Sequence, residues 1–184
     1  MMILVMGGSG CGKSAYAEKR IVELAAGGEP QTVYYLATMQ VYGEEGRRKV
    51  ERHIALRKNK GMLTIEQIRD VAACIPKLGE GASAILLEDL GNLVANEMFL
   101  DDGTMKPWEA VAEKVTAEVL RLKDNAANLV VVSNNVFEDG TLYEEGTDQY
   151  IKALGGIHCE LAKLADEVIE VVVGIPCYIK GEQT

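Results

Sequence analysis

The chain has 184 residues, 48% of them hydrophobic and 26% charged, with a formal net charge of −9. That length and composition suit one folded domain with a continuous core and exclude a disordered chain. The acidic balance excludes a general nucleic-acid binder, and no apolar run approaches the roughly 18 residues that cross a membrane.

Short apolar runs alternate with longer amphipathic ones. Ile3 to Met6 reads as a buried strand, followed by a glycine loop and a helix from about Lys13 to Ala25. Val33 to Ala37 is a second strand, closed by Thr38. Glu44 to Arg57 is strongly charged and reads as helical. A further helix is expected across Thr64 to Lys77, with Thr64 as cap and Gln67 three residues on. Ala84 to Leu87 is a third strand ending in the acidic pair Glu88-Asp89, and helices follow over Leu90 to Phe99 and Pro107 to Lys123. Leu129 to Val132 is a fourth strand. Glu144 to Ala165 is helical, with Gly155-Gly156 as a candidate break, and Val168 to Val173 with Cys177 to Ile179 suggests a terminal antiparallel hairpin. Continuously apolar strands, each followed by a helix, predict an α/β fold: a mostly parallel sheet covered on both faces. Residues 1–184 are expected to form a single nucleotide-binding domain. Cys11, Cys74, Cys159 and Cys177 stand too far apart for a zinc site or disulfide framework, and Met1 to Met6 is too short for an export signal. A soluble, cytoplasmic chain with reduced thiols is expected.

The strongest chemical signal is Gly7-Gly8-Ser9-Gly10-Cys11-Gly12-Lys13-Ser14, which fits the phosphate-loop pattern G-x-x-x-x-G-K-[ST]. Glycines let the backbone curl so that successive N–H groups face phosphate oxygens, and the helix starting at Lys13 aims its positive end at the same place. Lys13 is expected to reach the β- and γ-phosphates of a nucleoside triphosphate, and the Ser14 hydroxyl to be a ligand of Mg2+. A second metal ligand is expected at the end of a neighbouring strand, where Glu88 and Asp89 both qualify by spacing.

His53 lies in the most basic stretch of this acidic chain, with Lys49 and Arg57 each four residues away. On a helix these three share one face. Two readings stay open from the residues alone: a solvated surface histidine, or a nucleophile that attacks phosphorus while the cations steady a leaving pyrophosphate. His158 reads as a packing or surface residue, as does Trp108, and Glu138, Asp139, Glu144 and Glu145 as a solvated loop.

The order of five blocks gives these features a family. They are the Gly7 to Ser14 loop; Tyr35-Leu36-Ala37-Thr38; Arg52-His53 with Arg57; Leu86-Leu87-Glu88 with Asn96 and Phe99; and Val132-Ser133-Asn134 leading to Ala165-Asp166-Glu167-Val168 and Gly174-Ile175-Pro176. In this nearly end-to-end pattern the chain resembles the bifunctional adenosylcobinamide kinase/adenosylcobinamide-phosphate guanylyltransferases of cobalamin biosynthesis. The resemblance implies a P-loop fold, a γ-phosphoryl transfer from GTP or ATP to a corrinoid hydroxyl, and a GMP transfer from GTP through a guanylylated histidine. It implies His53 as that nucleophile and Glu88 rather than Asp89 as the acidic strand end. It further implies Ala37, Thr38, Met39, Ile54, Ala55, Leu56, Arg57 and Glu66 as lining the GTP site, and a homotrimer with nucleotide sites near subunit contacts. The chain departs from the family pattern at Lys58, Met62, Asn135 and His158-Cys159. Asn135 stands where the family carries a carboxylate. Two other readings fit the phosphate loop alone: a kinase for another small metabolite, and a GTP-sensing module without turnover.

Overall fold

The structure is a computed structural model that describes residues 1–27, 29, 31–40, 60–79, 83–137 and 143–182. The strands are β1 (Met2–Gly7), β2 (Thr32–Ala37), β3 (Met62–Glu66), β4 (Ser83–Glu88), β5 (Asn128–Asn134), β6 (Glu167–Val172) and β7 (Ile175–Lys180). The α-helices are α1 (Lys13–Ala26), α2 (Leu90–Met98), α3 (Trp108–Asp124) and α4 (Glu145–Leu164), and Val71–Lys77 forms a 3-10 segment.

These strands make one sheet in the order β3-β2-β4-β5-β1-β6-β7. All neighbours pair in parallel except β6 and β7, which form the terminal antiparallel hairpin. Its turn passes through Val173 and Gly174, both at positive φ, as a tight hairpin connection requires.

The strands are apolar throughout because each side chain, in or out of phase, meets a covered face. Ile3 and Val5, Leu86, and Val130 and Val132 pack with Ala17, Ile21 and Ala25 of α1. The alternate residues Leu4, Ile85, Leu87, Leu129 and Val131 pack with Leu93 and Val94 of α2, Val111, Val115 and Val119 of α3, and Leu154, Ile157 and Leu161 of α4. Spacings of three and four within each helix place those residues on one stripe. β7 has a single neighbour, so it is the one strand of the C-terminal side left as an edge, and Ile175 and Ile179 are exposed there.

Two sequence expectations are corrected. The segment expected as one helix from Thr64 to Lys77 is instead β3 followed by the 3-10 segment. Met62 to Glu66 pairs in register with Val33 to Ala37, where Thr64 and Ile65 suit a pleated strand. Asp70, at φ 48, turns the chain, and Pro76 removes a donor that a longer helix would need. The candidate break at Gly155-Gly156 does not occur, since α4 runs unbroken from Glu145 to Leu164. A Cβ on Gly155 would stand 3.4 Å from the Phe137 ring and one on Gly156 3.8 Å from Trp108, both ordinary van der Waals contacts. The expected helix over Glu44 to Arg57, with His53, Ile54, Ala55, Leu56 and Arg57, lies outside the described residues.

Candidate active site

The phosphate loop leaves the C-terminal end of β1 and enters α1. Gly7 must be glycine because a Cβ there would stand 2.6 Å from the Val171 carbonyl oxygen and 2.6 Å from Cys11 Sγ. Gly12 takes the N-cap position of α1 at φ 96, with no side-chain cap hydrogen bond on the helix. An α1 start without a capping side chain leaves its first N–H groups for a ligand, and an anion is what they attract. Gly8, Ser9 and Gly10 form the arch between them. Lys13 is buried, and its Nζ donates to the Gly8 carbonyl at 3.1 Å, folded back along the inside of the arch.

Strand order fixes what stands beside the loop. β5 lies between β1 and β4, so the end of β4 is two strands away. There Ser14 hydrogen-bonds the Glu88 carboxyl, whose pKa burial pushes up against that bond. Glu88 Oε2 is buried with no hydrogen-bond partner among the described residues. Asp89 points elsewhere. Its Oδ1 accepts the Asn92 N–H at 2.6 Å, capping α2, and its Oδ2 accepts Asn134 Nδ2 at 3.2 Å. Burial raises the Asp89 carboxyl too, while the Asn92 bond and the Lys13 charge pull it down. Of the two acids that spacing left equal, Glu88 faces Ser14 and Asp89 serves the helix.

Ala37 ends β2, on the far side of β4, and Thr38 and Met39 follow it. Thr38 is fully buried; its hydroxyl donates to the Asp89 carbonyl at 2.7 Å and its N–H to the Glu88 carbonyl at 3.1 Å. Met39 is 47% exposed just beyond it. Glu66 ends β3 opposite Ala37 and is exposed. Asn96 of α2 holds this corner together: its Nδ2 donates to the Thr38 carbonyl at 2.8 Å and the Ile68 carbonyl at 2.9 Å. The structure therefore gathers the loop, Ser14 and Glu88 into one site and sets Ala37 to Met39 and Glu66 along the same edge of the sheet.

Sequence reasoning missed the other flank. A cleft of about 650 Å³ opens beside the loop between the ends of β5 and β6, lined by Gly8, Cys11, Asn135, Val136, Tyr143, Glu170 and Val171 to Val173. The only signal for it was the paired amides Asn134-Asn135 at a strand end. His158, read as a packing or surface residue, is buried behind this wall, 2.7 Å from Ser133 Oγ and edge-on to Phe137. Burial pulls its imidazole down to about 4, so it is neutral at ordinary pH.

A mostly parallel sheet whose first strand feeds a glycine arch and an uncapped helix defines a P-loop nucleotide-binding protein. The fold is similar to that of a KaiC-like protein from the hyperthermophilic archaeon Pyrococcus horikoshii OT3, with a TM-score of 0.50 and 15% identity over 92% of this chain and 69% of that one. Residues 3–179 match the family described as cobinamide kinase / cobinamide phosphate guanyltransferase, and the chain belongs to that family. It is 30% identical to the bifunctional adenosylcobalamin biosynthesis protein CobU of Escherichia coli strain K12, and 32% identical to the protein of the same name from Salmonella typhimurium strain LT2. Each match spans 98% of this chain and all of the relative.

Proposed function

We propose that this chain, as one phosphate-loop domain, phosphorylates adenosylcobinamide and then transfers GMP from GTP to adenosylcobinamide phosphate, giving adenosyl-GDP-cobinamide. The observation that carries this reading is a phosphate loop with Ser14 and Glu88 paired at its mouth, in a chain of this family. In the first reaction the corrinoid hydroxyl oxygen forms a bond to the γ-phosphorus of GTP or ATP, the bond to the β-γ bridging oxygen breaks, and the hydroxyl proton is lost. Lys13 and the loop N–H groups hold the charge that moves onto the leaving diphosphate.

In the second reaction an imidazole nitrogen of His53 bonds to the α-phosphorus of GTP, the bond to the bridging oxygen breaks, and pyrophosphate leaves. The loop and Arg57 receive the pyrophosphate. A phosphate oxygen of the corrinoid then attacks the same phosphorus and releases the imidazole, a favourable step because the phosphorus–nitrogen link is of high energy. His53 and Arg57 take these roles from the sequence pattern, as do Ile54, Ala55 and Leu56 as lining residues.

The Ser14 hydroxyl and the partnerless Glu88 oxygen are the hard oxygen ligands Mg2+ prefers, and the ion would neutralise the β- and γ-phosphate charge there. A homotrimer suits the exposed apolar tip of the β6–β7 hairpin, where Val173 and Ile175 are 83% and 62% exposed. Among the described residues no helix is long and apolar enough to cross a membrane, and the four free cysteines suit work in the cytoplasm.

Incubation with α-labelled and, separately, γ-labelled GTP tests both halves. The α-label is expected to stay on the denatured protein as one acid-labile GMP, absent in His53→Ala, and the γ-label to move to adenosylcobinamide. Tight GTP binding without an adduct sinks His53 as nucleophile. An adduct without γ-transfer leaves a guanylyltransferase alone.

A further inference from the structure

The two reactions ask opposite things of one loop. In γ-transfer the γ-phosphorus must face the acceptor at Lys13, Ser14 and Glu88, so the α-phosphate and nucleoside lead away from that end. In guanylylation the departing pyrophosphate fills the loop, and the nucleoside must lie on the side of the nucleophile. The residues expected to hold that second nucleoside, Ala37, Thr38, Met39 and Glu66, end β2 and β3, on one side of β1. The cleft straddles the end of β1: Asn135 and Val136 follow β5, on the same side of β1 as β2 and β3, while Glu170 to Val172 end β6 on the other, where they pair with β7.

We infer that this cleft is the nucleoside pocket of the kinase's phosphoryl donor, a purine nucleoside triphosphate, so that the two reactions approach the phosphate loop from different directions. The inference rests on the bifunctional reading above. The cleft shares Gly8 and Cys11 with the loop itself, so a nucleoside in it is joined directly to phosphates under the arch. Its volume lies within the range of pockets that enclose small ligands. Its walls divide as a nucleoside does: Val136, Val171, Val172 and the ring of Tyr143 offer apolar surface to a base, while Asn135 and Glu170 supply a polar pair.

That pair is held in a set orientation. Asn135 Oδ1 accepts the Phe137 N–H at 3.4 Å, which directs its Nδ2 to Glu170 Oε1 at 3.1 Å. The carboxylate accepts hydrogen bonds, as base N–H groups and ribose hydroxyls require, and repels phosphates toward the loop. Backbone bonds fix the cleft to the loop on both flanks. The Asn135 N–H donates to the Gly7 carbonyl at 3.0 Å, and the Gly174 N–H to the Cys11 carbonyl at 2.8 Å. Because a peptide is planar and trans, holding the Cys11 carbonyl toward the hairpin turns the Gly12 N–H the opposite way, away from Gly174. The residue in the place of the family's carboxylate is thus a wall of the donor pocket.

Two variants and a photolabel test this. Val172→Trp fills the cleft from a half-exposed position, and Glu170→Ala removes its acceptor. Each is expected to raise the KM for GTP and ATP in γ-transfer at least tenfold more than the KM for GTP in adduct formation, with thermal unfolding reported beside both. An 8-azido purine nucleoside triphosphate is expected to label the peptide spanning residues 135–137 or that spanning 170–173. Equal KM changes in both reactions, or labelling confined to residues 37–39, overturn the inference. So does protection of the cleft peptides by adenosylcobinamide alone, which would make the corrinoid its occupant. A wild-type chain with neither adduct nor γ-transfer defeats the bifunctional reading itself. Cleft labelling in that chain would still place a nucleoside there.

Discussion

Glu88 and Asp89 are both partly buried, and burial pushes both carboxyls up, yet their partners separate them. Asp89 is spent on the Asn92 N–H and the Asn134 amide, whereas the Glu88 carboxyl hydrogen-bonds Ser14 and Tyr35 and, among the described residues, keeps an oxygen without a partner. His158 shows the reverse case, a titratable group that burial has silenced. Its imidazole falls to about 4 from an ordinary value of 6.5. The unfolded chain therefore binds the proton first, and the stability this residue contributes is present above about pH 6.5 and lost as pH falls toward 4. The slope for one proton is about 1.4 kcal/mol per pH unit. Urea unfolding of the wild type at several pH values in that window should show this loss, and His158→Gln, which keeps a partner for Ser133, should be flatter. An identical slope in the variant would remove His158 as the cause.

Elements meet at the active edge through side chains that stitch backbone to backbone. Asn96 is the clearest, since one amide from α2 closes the carbonyls of Thr38 after β2 and Ile68 after β3. Asn96→Ala leaves both acceptors short of a donor, at a cost of about 2–4 kcal/mol. In a chain of this length that lowers the midpoint of thermal unfolding by roughly 5–10 °C. Calorimetry of the nucleotide-free protein checks it; a shift of a degree or less would mean that water takes over the two bonds. The same corner explains why the stretch after Thr64 defeated sequence reasoning. Its polar residues match a helix cap in isolation, but β2 offers an open edge, and five residues in parallel register outweigh a weak helical preference.

At the scale of the whole molecule, the β6–β7 hairpin both braces the phosphate loop and carries its apolar tip outside. Val173 and Ile175 project as the most exposed pair of that tip, so a subunit covering them would also bear on the loop. If the proposed trimer forms through this tip, Val173→Asp with Ile175→Asp is expected to convert it to monomers in sedimentation while leaving the sheet's far-ultraviolet dichroism intact. An unchanged sedimentation coefficient would move the subunit contact elsewhere. Much of this was legible in the sequence by itself. Continuous apolar strands and helical stripes determined the α/β class, because a strand buried on both faces admits no polar alternation. The phosphate loop and the family pattern were legible because glycine, lysine and serine at fixed spacing are a local, backbone-level requirement. Only the tertiary structure showed the partners that separate Asp89 from Glu88, which the family pattern already favoured, turned Thr64 to Lys77 into strand and 3-10 turn, and opened the cleft at Asn135 and Glu170. Each of those depends on which strand lies beside which, and residues 29 or more positions apart touch there for reasons that no local spacing records.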